Sequence, residues 1–196
     1  MARVNLLSGS GRRRRGRPQP LRQGELDGLC GVYSVVNAVR ALCPEFCGDH
    51  SEHLFAELMV QLGEDTRAPL DVICYGVGKR QLRQLIGSAG KYVEAHLAIE
   101  LRARRIKVSK NAKLTTNKLW ALMARELKPG NVVILGLGGR EDHWTLAYAM
   151  TDRQMRLLDS SGRRVLRRSA CTVRKDRSRV VLSAHDITII ERKAKD

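Results

Sequence analysis

The apolar residues change period halfway along this chain of 196 residues, and that change fixes the kind of fold it can adopt. From Cys30 to Leu42 the positions Val32, Val35, Val36, Val39 and Leu42 fall at helical spacing on one face, and Pro44, which lacks an N–H, stops the run. Ser51 is placed to cap a second helix with the stripe Leu54, Phe55, Leu58, Met59 and Leu62 and Gly63 as its exit. A third helix runs from about Gly78 to Ser88, led by Leu82, Leu85 and Ile86. Thr115 or Thr116 caps a fourth, "NKLWALMAREL", which "KPGN" ends. The second half reads as strands: "VVILGLG", "HWTLAYAM" and "QMRLLD", joined by "GGRED" and "TDR", then "RRVLRR", "RVVLSA" and "DITIIER". The earlier segment "HLAIELRARRIKVS" reads as strand in part. Helices followed by a meander of strands imply an α+β domain with an antiparallel sheet.

The length suits one domain with a real core, expected over residues 21–196. Residues 1–20, "MARVNLLSGSGRRRRGRPQP", have little to bury and read as a disordered basic arm. The net charge is +16 and unevenly spread, with seven arginines and no acid in residues 1–22. A second block from Arg163 to Arg179 carries eight basic residues against Asp176 alone. Such surfaces attract nucleic acid, anionic membranes or acidic proteins, although no recognisable nucleic-acid module accompanies the charge. No apolar run approaches the roughly 18 residues of a membrane span. No apolar h-region follows the N-terminal charge, so a cytoplasmic protein is expected. Five cysteines are an odd set, which argues against a disulfide framework and leaves room for a functional thiol.

That thiol is Cys30, which the periodicity puts in the first turn of a helix. A thiol is a useful nucleophile only as thiolate, and a helix N-terminus favours thiolate and oxyanion alike. Gly28 and Gly31 would leave the backbone bare for a substrate carbonyl, and Gln23 is placed to donate a second hydrogen bond to the oxyanion. The plain alternative is a small buried hydrophobe, as most free cysteines are. Of the five histidines, only His143 stands where a glycine-rich loop meets an apolar strand. Asp159 closes the following strand. If Thr151, Asp152 and Arg153 form a three-residue hairpin loop, Met150 pairs with Gln154, and His143 and Asp159 become diagonal neighbours on one face. A two-residue loop would separate them to opposite faces. Asp142 alternates away from His143 and fits less well.

The order Gln23, "GLCGVYSVVNA", "DHWTLAY", "LLDSSG" resembles the papain-like cysteine peptidases. Within them it is similar to the bacteriocin-processing (double-glycine leader) peptidase domains attached to ABC transporters. The resemblance implies a helical half carrying Cys30 as nucleophile and a sheet half carrying His143 as general base and acid. Asp159 would orient the imidazole, and Gln23 with the Cys30 N–H would form the oxyanion hole. It implies a peptide or protein substrate and no cofactor. The basic arms have no place in the family pattern.

Two other readings fit the residues. Transglutaminases, arylamine acetyltransferases and toxin deamidases use Cys, His and Asp in the same chain order through a thioester, and a basic binding protein could retain a degenerate peptidase fold. Cys43, Cys47, His50 and His53 are spaced for zinc but straddle an inter-helix turn, so no metal is assigned. "GLGG" at Gly136–Gly139 lacks the helix a phosphate loop needs and reads as a mobile loop above His143. Cys74 and Cys171 have no base nearby in the sequence. Tyr33 and Asn37 read as packing or capping groups, and Trp144 as a residue buried in the sheet.

Overall fold

A computed structural model describes residues 19–24, 27–46, 48–65, 69–108, 113–127 and 130–193. The first helix, α1 (Cys30–Leu42), covers the span its periodicity predicts, and its stripe Val32, Val35, Val36, Val39 and Leu42 is buried. Arg192 donates to the Leu42 carbonyl at 3.2 Å, supplying one of the partners that the last carbonyls of a helix lack. The second helix, α2 (Gly48–Asp65), starts before Ser51, which lies buried inside it, and runs past Gly63. An exposed glycine inside a helix costs about 1 kcal/mol, and burying Leu54, Leu58 and Leu62 more than offsets that.

A short helix not foreseen from the periodicity, α3 (Pro69–Tyr75), precedes α4 (Lys79–Leu97). Helix α4 outruns its expected end at Ser88 because the stripe of Leu82, Leu85 and Ile86 continues through Ala89, Tyr92 and Val93. Ala98 closes it in the left-handed region at φ 51°. After β1 (Leu101–Arg105) comes α5 (Thr116–Glu126), whose N-cap Thr115 accepts from the Lys118 N–H at 3.2 Å, the predicted start.

The remaining strands are β2 (Asn131–Gly139), β3 (His143–Met150), β4 (Gln154–Leu158), β5 (Val165–Arg167), β6 (Cys171–Thr172) and β7 (Val180–Arg192). They form one sheet with β1 in the order β1-β7-β2-β3-β4-β5, antiparallel along this path, while β6 runs parallel beside β7. Two expected strands, "RVVLSA" and "DITIIER", are thus a single long strand, bent where its register against β2 shifts between Leu135 and Leu137. The glycines read as a mobile loop lie within β2: Gly136 pairs with Trp144 and Leu137 with His143. Only Arg140, Glu141 and Asp142 connect β2 to β3.

The sheet is covered on both sides. Val132, Ile134, Leu146, Leu158 and Ile190 pack with α1, α2 and α4, whereas Val133, Leu135, Ala147, Leu157 and Ile189 pack with Leu119, Trp120 and Met123 of α5. This alternation explains why "VVIL" is apolar without a break: both faces of β2 are interior. No described helix is long and apolar enough to cross a membrane.

Candidate active site

The segment entering α1 is tied down residue by residue. The Asn37 side chain clamps Leu21, accepting from its N–H at 2.8 Å and donating to its carbonyl at 3.2 Å. The Gln23 N–H donates to the Ser160 carbonyl at 3.2 Å. Asp27 then organises the turn, accepting from the Gly24 N–H at 2.7 Å and the Leu29 N–H at 3.1 Å. Helix α1 has Leu29 at its N-cap, with no capping side chain and no acid in its first turn. Its positive end therefore faces whatever lies against Cys30.

The two glycines flanking the cysteine serve packing, not an open approach to substrate. A Cβ on Gly28 would sit 2.7 Å from the Gly76 amide nitrogen, and one on Gly31 would sit 2.3 Å from the Val77 side chain and 3.3 Å from Trp144. Their bare faces are covered by the α3–α4 connection. Trp144 locks the same contact, its indole N–H donating to the Val77 carbonyl at 2.9 Å. The ring packs against the helical core and is only partly buried.

Cys30, His143 and Asp159 meet at the end of β3. The His143 Nε2–H donates to Asp159 Oδ2 at 2.9 Å, since a carboxylate can only accept. Cys30 lies close enough to raise the pKa of the same imidazole, while its thiol donates to the Gly28 carbonyl at 3.7 Å. With Nε2 occupied, Nδ1 is the ring nitrogen left for another partner. The Cys30 sulfur also accepts from the Trp144 N–H at 3.4 Å. Strand β4 ends at Leu158 opposite Leu146, so the edge of β3 is uncovered there, and the sulfur takes the amide a strand would have taken.

Asp159 is fully buried at 0%, Cys30 is buried at 8% and the His143 side chain is 16% exposed. Burial alone would lower the His143 pKa, but the hydrogen bond to Asp159, the nearby Cys30 and the charges of both carry it from 6.5 to about 9. Burial would raise the Asp159 pKa, but hydrogen bonds from His143 and Ser161 outweigh it and bring the pKa from 3.8 down to about 2. Thr145 adds to that stabilisation, although its buried hydroxyl meets no partner at full hydrogen-bond geometry.

The register that brings His143 to Asp159 differs from the expected one at the turn and agrees with it at the site. Met150 pairs with Met155, not Gln154, so the loop is one residue longer than three. A bulge between Ala147 and Ala149 then takes up the extra residue, and Leu146 pairs with Leu158 as a three-residue loop would have it. Continuing that ladder sets Thr145 opposite Asp159, with His143 the diagonal neighbour on the same face.

Gln23 is brought to the same end of the molecule. Its side-chain oxygen accepts from the Ser160 hydroxyl at 2.7 Å and its Nε2 donates to the Asp27 carbonyl at 3.0 Å, which leaves one amide N–H. Several contributors were not singled out in the sequence. Asp159 Oδ1 accepts from the Ser161 N–H at 2.9 Å, the Ser161 hydroxyl at 2.5 Å and the Arg163 N–H at 3.3 Å. The Arg163 guanidinium in turn holds Glu141 at 2.7 Å, bracing the short β2–β3 connection. The "DSSG" turn signal would have found Ser161, because Asp accepts from the backbone two residues on. Nothing in the sequence marks the Trp144 N–H.

Of the residues weighed for zinc, Cys43, His50 and His53 are described. Cys47 lies outside the described residues, and so does most of the basic arm, 1–18. Cys43 is fully buried, and His50 pairs through Nδ1 with the Tyr92 hydroxyl at 3.2 Å. Among the described residues no group of three His, Cys, Asp or Glu side chains is placed to hold a metal ion. No protein-family model matches the chain, and no curated protein matches it.

Proposed function

We propose that this protein is a papain-like cysteine hydrolase, a peptidase or isopeptidase that works through an acyl-thioester. One observation carries the reading: a buried carboxylate holds an imidazole whose pKa Cys30 also raises, and Cys30 is the first residue of a helix. The Cys30 thiolate attacks the substrate carbonyl carbon, and the oxyanion is received by the Cys30 N–H and the remaining amide N–H of Gln23. His143 passes its Nδ1 proton to the leaving amine as the C–N bond breaks. It then takes a proton from the water that attacks the thioester, which releases the acid and returns the sulfur. Asp159 keeps the Nε2–H in place throughout. Gln23, ahead of the cysteine, favours this over a thioester acyltransferase. The four described cysteines are unpaired, which suits a reducing compartment, and we assign the cytoplasm.

Iodoacetamide labelling at pH 6 tests whether Cys30 is the reactive thiol. Burial pushes the Cys43 and Cys171 thiols up to about 11, so both stay protonated and inert. Cys30 is expected to alkylate at least tenfold faster than any other cysteine, as read by peptide mass spectrometry. Equal labelling at Cys30 and exposed Cys74 would argue for a binding protein instead.

A further inference from the structure

Two cavities lie side by side at the β4–β5 edge of the sheet, and Gln154 lines both. The larger, about 540 Å3, is walled by Arg153, Arg167, Arg168 and Arg179, with Thr116 and Asn117 from the start of α5. The smaller, about 250 Å3, holds Arg22, Arg156 and Arg164, together with Arg163, which is paired with Glu141. No acidic side chain and no lysine lines either cavity among the described residues. Apart from Arg163, none of these eight arginines forms an ion pair among the described residues.

The backbone forces these charges together. Gln154 pairs with Arg167 across the ladder, the Arg168 N–H donates to the Arg153 carbonyl at 2.8 Å, and the Leu157 N–H donates to the Arg164 carbonyl at 3.0 Å. The Arg179 guanidinium is fixed in place, donating to the Ser169 and Cys171 carbonyls at 2.6 and 2.7 Å. Like charges set side by side across strands cost stability. Scattered charge alone would suffice to keep an edge strand from pairing. Seven guanidiniums that line these cavities without an ion pair among the described residues, beside one held by Glu141, are instead arranged for an anion.

We infer that this edge binds the phosphate backbone of a nucleic acid. The cationic set is all arginine, whose planar fork matches phosphate oxygens in pairs, and the start of α5 adds backbone dipoles to the larger cavity. Two cavities in sequence suit a repeating anion better than one compact one. Among the described residues one aromatic ring, the partly buried Tyr148, lines either cavity, so the surface offers one stacking platform and reads backbone, not sequence. The assignment is independent of the thiol chemistry.

The test uses the full chain and a fluorescein-labelled single-stranded RNA of about 20 nucleotides, followed by anisotropy between about 50 and 200 mM salt. Replacing Arg153, Arg167 and Arg168 together by Ala removes three contacts and makes the slope of log K against log salt shallower by about 2. Across that salt range the unchanged protein then loses about 20-fold more affinity than the variant. Arg22→Ala with Arg164→Ala, which probes the smaller cavity, lowers the slope similarly. Arg102→Ala with Arg105→Ala, on β1 at the far edge of the sheet, leaves it unchanged, and so does Cys30→Ala. Slopes equal to the parent's in both cavity variants would assign binding to residues 1–18 and overturn the inference. So would displacement of the RNA by polyglutamate as effective as by unlabelled RNA, which would make the ligand an acidic protein.

Discussion

Cys30→Ala is expected to abolish the release of p-nitrophenol from p-nitrophenyl acetate, lowering turnover by about four orders of magnitude or more. The substitution removes the atom proposed to carry the acyl group. Little else changes, because Cys30 is one short side chain at the start of α1. What it strands is the Trp144 N–H, which loses the sulfur it donates to at 3.4 Å. One weak hydrogen bond lost at a buried amide costs about 1–2 kcal/mol, so the variant should unfold at a moderately lower denaturant concentration and keep its circular dichroism spectrum. A collapse of structure together with activity would make the thiol a packing group. Residual turnover near the parent's would locate the chemistry elsewhere.

Asp159→Asn is expected to lower turnover by roughly 10³-fold, less than removal of the thiol. Both oxygens of this fully buried carboxylate act only as acceptors, one toward His143 and the other toward Ser161 and Arg163. An amide must turn its NH2 toward one of these donors. Facing Ser161 and Arg163 sets it against two backbone N–H groups. Facing His143 forces the proton onto Nδ1, the wrong tautomer for taking a proton from the thiol.

The charge is lost as well. In the native protein His143 holds its proton up to about pH 9 against an ordinary 6.5. The stability this confers is complete below pH 6.5 and disappears as pH rises through about 9. The Asp159 contribution is complete above its ordinary 3.8 and disappears as pH falls through about 2. In the Asn variant the His143 titration followed by ring NMR signals should move down, and the alkaline limb of activity should move with it. An unmoved titration would show that Asp159 does not support the imidazolium.

Much of this arrangement was legible in the sequence, for reasons that can be named. Helix α1 was, because five valine and leucine positions repeat at helical spacing and Pro44 ends the run. His143 and Asp159 were, because each stands at the end of an apolar strand and strand alternation is strict. The loop length was not, since a bulge at one site can cancel an added turn residue at another, and only the pairing reveals both. The glycines around Cys30 misled for a related reason. A glycine that lets a substrate approach and one that lets its own chain approach have the same sequence, and here Gly76 and Val77 occupy the space. The glycines at the end of β2 misled in the opposite way. Gly136 gives up its side chain to the Trp144 ring, which would lie 3.0 Å from a Cβ there, and so stays in the strand. The long reach of α4 was hidden by Gly87 and Gly90, which the buried Ala89, Tyr92 and Val93 outweigh.

The proposed pairing of Cys30 with His143 is tested most directly by covalent capture. The full chain is incubated at neutral pH with a peptide vinyl sulfone and digested, and the adduct is located by mass spectrometry. A single modification on Cys30 that is lost in His143→Ala is the expected result. An adduct spread over several cysteines, or one on Cys30 that persists unchanged without His143, would contradict it.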